Sequence, residues 1–154
     1  MDGYIKWLRS KVGTSPVIVN YVIACVTDES GNILLQKRSK DKDIWGWLGG
    51  IIEYGESAEE AVHREVMEES GLEVKIDYLI GIYTKYFQTF DDGSISQMIC
   101  NFFKCSIVGG SLTIDNYETF DLKFFEPTKI PKFAIPMWQD NLTDFLSGKK
   151  GIYR

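Results

Sequence analysis

Apolar positions along this chain follow a strand period in some stretches and a helical period in others. The continuous run "PVIVNYVIACV", residues 16–26, is rich in β-branched side chains and predicts a buried strand. "ESGN" reads as a turn, and "ILLQKR" as a second strand forming a hairpin with the first. Two longer strands are predicted in "EVKIDYLIGIYTKYFQTF" and "SISQMICNFFKCSIV", joined by the turn "DDG". "ETFDLKFFEP" gives another strand, "TKIPKFAIP" a proline-punctuated loop and "MWQDNLTDFL" a closing helix. "YIKWLRSKV" forms a short leading helix with Ile5, Leu8 and Val12 on one side. No repeat, low-complexity tract or linker breaks this order. The expectation is one α+β domain over residues 1–154, with a mixed sheet between helices.

One further helix has an acidic interruption where its core face should be. Ser57 with Glu60 three residues on is a capping-box signature, and Gly71 reads as a C-terminal stop. These bound a helix from Ser57 to about Ser70. At about 100° per residue, Ala58, Ala61, Val62 and Val66 define one apolar stripe. Glu65 and Glu69 fall inside that stripe and Glu68 at its edge, whereas Glu59, His63, Met67 and Ser70 point the other way. A carboxylate on a buried stripe is costly, because desolvation disfavours its charge. Protonation relieves the cost, and so does a nearby cation. Three carboxylates within one turn repel one another, and a hard divalent cation with oxygen ligands is the fitting partner. The alternative is an acidic surface helix that packs differently. Ahead of the helix, Gly49, Gly50 and Gly55 form a loop where backbone approaches a ligand closely, and a carbonyl there could complete an octahedral shell.

Composition and charge narrow the chemistry. A hydrophobic fraction of 44% and a charged fraction of 25% over 154 residues describe an ordinary globular chain with room for a substantial core. The net charge of -5 argues against a general electrostatic hold on a nucleic acid polymer, but not against a small nucleotide held through metal ions. No run reaches the length of a membrane span and no signal peptide is evident, so no membrane partner is expected. Cys25, Cys100 and Cys105 have no CxxC spacing and are odd in number, which fits reduced, buried thiols in a cytoplasmic protein.

The segment "GIIEYGESAEEAVHREVMEESGL", Gly50 to Leu72, resembles the Nudix box, G-x5-E-x7-R-E-U-x-E-E-x-G-U, where U is a bulky aliphatic residue. Gly50, Glu56, Arg64, Glu65, Val66, Glu68, Glu69, Gly71 and Leu72 match every specified position. One departure lies upstream, where family members often carry proline before the double glycine and this chain has Leu48. The resemblance implies an α/β/α sandwich and hydrolysis of a nucleoside diphosphate linked to another moiety, with Mg²⁺ or Mn²⁺. It implies that Glu65, Glu68 and Glu69 hold the ions, that the Gly50 carbonyl is a further ligand, and that Arg64 orients Glu56 or Glu68. A small-molecule nucleotide is the implied partner, and a homodimer is compatible with it.

Substrate contacts and the general base are less constrained. Trp45, Trp47 and Tyr54 flank the glycine loop and are candidates to stack on a base, with Trp45 and Tyr54 preferred, against the alternative that they pack in the core. Lys37 and Arg38, at the end of the second strand, are candidates to meet phosphates, with Arg38 preferred. His63 projects away from the carboxylates, and Glu53, Glu59 and Glu60 read as turn, solvent and cap. For the base, "DNYETFDLKFFEP" offers Asp115, Glu118, Asp121 and Glu126; Glu118 is preferred, with Asp121 next and Glu65 the candidate within the box. No proline lies between Pro16 and Pro127, where ADP-ribose hydrolases of the family commonly carry one, and the coenzyme A motif is absent. A nucleoside di- or triphosphate is therefore expected. The alternatives are ADP-ribose or a nucleotide sugar, a non-enzymatic nucleotide-binding module, and an isoprenoid diphosphate isomerase. The last would need a catalytic cysteine in a recognisable motif.

Overall fold

The computed structural model describes residues 3–90, 92–114 and 118–154. Its elements follow in the order α1 (Tyr4–Val12), β1 (Val17–Thr27), β2 (Ile33–Lys37), β3 (Trp45–Gly46), α2 (Ala58–Ser70), β4 (Leu72–Thr89), β5 (Ile95–Gly110), β6 (Asp121–Phe125), α3 (Pro136–Leu146) and β7 (Ile152–Tyr153). The strands make one mixed sheet in the order β3-β2-β1-β5-β4-β7, with β6 paired to β2. β1 and β5 run parallel, in register from Val17 opposite Ser96 to Thr27 opposite Ser106. β4 and β5 form the long antiparallel hairpin expected from the sequence. Two-residue β3 and β7 were not expected; a pair of residues carries no period to read.

Alternation along β1 explains the layers. Val22, Ala24 and Val26 pack with Ala61, Val62 and Val66 of α2 on one face. Ile23 and Cys25 pack with Trp138, Met137 and Leu142 of α3 on the other. Val19, on that same odd-numbered face, packs with Ile5 of α1 and Met98 of β5. The sheet thus lies between α2 and the pair α1 and α3, which is the α/β/α sandwich. The three cysteines are buried thiols, and burial pushes the Cys100 thiol up to about 12. Among the described residues no helix is long and apolar enough to cross a membrane.

The site depends on a local splay in the sheet. β1 and β2 meet at Thr27 opposite Ile33. Further along, the segment 48–52 takes β2's place beside β1. There Ala24 donates to the Leu48 carbonyl, Val22 to the Gly50 carbonyl at 2.9 Å, and Ile52 to the Asn20 carbonyl. The glycine loop is therefore laid against the sheet as an extra edge. Gly49 has φ 141°, and a Cβ there would meet the Val22 carbonyl oxygen, so only glycine fits this approach.

Candidate active site

Helix α2 starts and stops as its sequence requires. Ser57 Oγ accepts from the Glu60 N–H and the Glu60 carboxylate accepts from the Ser57 N–H. Gly71 closes the helix in the left-handed conformation, with φ 71°. The helix carries Glu69 inward, 5% exposed, with Glu65 half-buried beside it and Glu68 in solvent. Ser70 is a correction to the outward position expected of it. It is fully buried, because Thr113 N–H donates to its carbonyl and Ser111 N–H to that of Gly71, folding the next segment over the helix end.

Each carboxylate is held. Glu69 accepts from Gln36 Nε2 and from the Gly49 N–H, both at 2.7 Å, with Arg38 Nη1 at 3.7 Å. Burial pushes its carboxyl up to about 8, against the opposing pull of Gln36, Arg38 and Gly49. Burial also raises Glu65, and the charges of Glu68 and Glu118 add to the rise while Arg64 opposes it. Arg64 is the organiser of the loop. Its Nε and Nη2 grip Glu56 at 2.8 and 2.9 Å, Nη2 also donates to the Ile51 carbonyl, and Nη1 reaches Glu65 at 2.7 Å and Glu68 at 3.3 Å. These hydrogen bonds hold the Glu56 carboxyl below its ordinary range. A Cβ on Gly50 would fall on the Glu65 carboxylate, so this glycine makes the space that Glu65 occupies.

Gln36 was missed from sequence. It is fully buried on β2, donating to the Trp47 carbonyl at 2.9 Å and to Glu69, while its own carbonyl accepts from Thr119 Oγ1 at 2.8 Å. The signal was a lone amide on the same face as Leu34 in an otherwise apolar strand. Through it Thr119, the neighbour of Glu118, is tied to Glu69.

One cleft of about 1170 Å³ holds Arg38, Gly50, Glu65, Glu68, Glu69 and Glu118 together. Arg38 also lies over the Trp138 ring at 5.9 Å. The wall includes neither Trp45 nor Tyr54, which corrects the expectation that they stack on a base. Trp45 is buried, edge-on to Phe125 at 4.9 Å, with its Nε1 donating to Asp43; Tyr54 sits in an exposed turn at 92% exposure. Trp47 and Trp138 are the tryptophans of the wall. Lys37 turns away to Asp43, Asp121 caps its own neighbour Leu122, and Glu126 pairs with Lys129. Asp115 lies outside the described residues.

The donor set, the carboxylates of Glu65, Glu68 and Glu69 and the Gly50 carbonyl, which also accepts from Val22, is made of oxygens on one wall and fits a hard divalent cation. As placed, no three acidic side chains among the described residues converge on one point. Arg64 Nη1 holds Glu65 and Glu68, so a cation must compete with that guanidinium for them.

A family model, the NUDIX domain, matches residues 18–146. A "Putative 8-oxo-dGTP diphosphatase" of Bacillus subtilis is 37% identical over 127 residues, covering 82% of this chain and 79% of the relative. An ADP-ribose pyrophosphatase of Methanocaldococcus jannaschii is 30% identical over 128 residues, covering 82% and 72%. Among solved structures, the MutT protein of Methanosarcina mazei Go1 superposes with a TM-score of 0.69 at 22% identity, covering 88% of this chain and 98% of that one. Matches of this extent show the family: this chain belongs to the Nudix hydrolases, and it is a pyrophosphohydrolase among them.

Proposed function

We propose that the protein hydrolyses the phosphoanhydride of a nucleoside di- or triphosphate, with Mg²⁺ or Mn²⁺ held by Glu65, Glu68, Glu69 and the Gly50 carbonyl. The observation that carries this reading is the buried Glu69 beside Glu65 on the cleft wall, two desolvated carboxylates of which Glu69 has Arg38 3.7 Å off and Glu65 shares Arg64 with Glu56 and Glu68. When bound, the metal ion neutralises the phosphate oxygens and makes the attacking water more acidic. The rest of the chemistry falls to side chains of this chain. Arg38 faces the cleft and contacts phosphate oxygens as negative charge shifts toward the leaving group. Glu118, exposed on the cleft wall and close enough for its charge to raise Glu65, takes the proton of the attacking water. Arg64 and Glu56 fix the loop that presents the Gly50 carbonyl.

The triphosphate preference is supported by the 37% identity to the 8-oxo-dGTP diphosphatase relative and by the absence of proline between Pro16 and Pro127. The second reading, ADP-ribose or a nucleotide sugar, is favoured by the 30% identity to an ADP-ribose pyrophosphatase. A panel of nucleoside di- and triphosphates, ADP-ribose and a nucleotide sugar, with products identified by mass, separates the two. Fastest metal-dependent turnover is expected on a nucleoside di- or triphosphate. ADP-ribose turnover far above that of every triphosphate would reverse the choice.

A further inference from the structure

The family match begins at residue 18, and α1 lies ahead of it. Yet α1 is fastened to the catalytic cleft at three places. Its N-terminus has no side-chain cap of its own, and the Tyr4 N–H donates instead to Glu53 Oε2 at 2.6 Å. Glu53 belongs to the loop between Gly50 and α2 and lines the cleft. Near the other end, Arg9 donates to Ser96 Oγ at 2.9 Å and to the Ile95 carbonyl at 3.3 Å. Between these anchors Ile5 is buried against Val19 and Met98, and all three line the cleft.

Strand register shows which end of the cleft this is. Val19, Tyr21 and Ile23 face it along β1, a floor of about 13 Å at the rise of a strand. Ile51 pairs with Tyr21 and the Gly50 carbonyl with the Val22 N–H, so the glycine loop and the glutamates held against it stand beside the middle of that floor. Toward Ile23 lie Trp47 and Trp138, with Arg38 over Trp138. Toward Val19 lie Ile5 and Met98, with the hairpin residues Phe87 and Phe90 also on the wall.

The two ends differ in chemistry. Arg38 and Arg64 are the cations of the described wall, and Arg64 is committed to Glu56, Glu65 and Glu68. The α1 end offers hydrocarbon and phenyl surface, with Gln88, Thr89, Ser96 and the Glu53 carboxylate as its polar side chains; Ser96 Oγ already accepts from Arg9, and Glu53 Oε2 from the Tyr4 N–H. A phosphate chain set there would meet the Glu53 carboxylate and no cation of the wall, since Arg9 lies behind Ser96 and is engaged by it and by the Gly13, Ser15 and Ile95 carbonyls; a sugar would leave most hydroxyls without partners. A flat heterocycle, apolar on its faces and polar on its edge, suits both floor and rim.

We propose that α1 builds the subsite for the substrate's heterocyclic base, with Ile5 setting its depth and Glu53 acting as the positioning residue that holds the helix there. The proposal rests on the nucleotide reading above. Its test is the steady-state kinetics of wild type, Ile5→Ala and Ile5→Phe on a purine and a pyrimidine nucleoside triphosphate sharing one sugar. The phosphates and metal contacts are common to both substrates, so damage to the fold alone lowers both kcat/KM values by one factor. The subsite predicts instead that the purine-to-pyrimidine ratio shifts by about tenfold, carried by KM and opposite in sign for the two variants. Calorimetric binding of the two nucleoside monophosphates follows the same order. Should Ile5→Phe not fold, Ile5→Ala is read with Glu53→Ala, which raises KM, and Glu53→Gln, which keeps an acceptor oxygen for Tyr4 and restores it. Wild-type turnover with a ratio unchanged within twofold in the folded variants overturns the proposal alone. A wild type that neither hydrolyses the triphosphates nor binds the monophosphates overturns the nucleotide reading with it.

Discussion

Glu69 occupies a position where helix geometry calls for an apolar side chain, and its surroundings satisfy it as an acceptor, with Arg38 at the long distance of 3.7 Å. Gln36 and the Gly49 N–H each donate to one of its oxygens, and burial still raises it to about 8. That conflict was legible in the sequence, because the angular position of Glu65, Glu68 and Glu69 follows from spacing alone. The partners were not. Gln36, Thr119 and Glu53 reach the site through contacts between residues far apart in the chain, which no local pattern encodes. Trp45 and Tyr54 were placed by proximity in sequence, but one is turned inward by a two-residue strand and the other outward by a turn. At this scale the account predicts that Glu118→Gln lowers kcat by about a hundredfold or more, the scale of a lost general base, with metal affinity less affected. Wild-type turnover across a pH series would move the base to Glu65, since Asp121 lies off the cleft.

The elements whose boundaries carry their own chemistry were read most closely. The capping box at Ser57 and the stop at Gly71 are both formed as expected, and α1 and α3 fall within a residue of their predicted spans. Removing the cap should cost about 0.5–2 kcal/mol, so Ser57→Ala is expected to lower the melting temperature by several degrees at most. The same variant should keep its KM if α2 only frays in its first turn, since Glu65 and Glu69 lie about two and three turns further on. Thermal unfolding monitored by circular dichroism checks the first point, and an unchanged melting temperature would remove the box from the helix's stability.

For the molecule as a whole, the sequence reading reached the layers but not the order of strands. The parallel pairing of β1 with β5 joins segments nearly eighty residues apart, as in Val17 with Ser96. The splay that admits the glycine loop beside β1 likewise arises from pairing, not from composition. The face of the sheet under α3 is closed by Asp144, which accepts from Tyr83 at 2.9 Å and from both ends of the Arg154 guanidinium at 2.8 Å. The hydrogen bonds of Arg154 hold the Asp144 carboxyl below its ordinary value. A depressed carboxyl stabilises the fold above its unfolded-state value, and this contribution is lost as pH falls through the folded value. Asp144→Asn should therefore be about 1–3 kcal/mol less stable at neutral pH, with the gap to wild type closing as pH falls below the ordinary aspartate value. A gap independent of pH in denaturant titrations would contradict that coupling. The central claim, that buried glutamates on one cleft carry metal-dependent hydrolysis, is tested most directly by the Mg²⁺-dependent turnover of Glu69→Gln, measured beside its circular dichroism spectrum. The charge is removed with little change in volume, so the account predicts a folded protein whose turnover falls by about a hundredfold or more, since the metal's share of the barrier is several kcal/mol. A folded Glu69→Gln protein with wild-type, Mg²⁺-dependent turnover would contradict it.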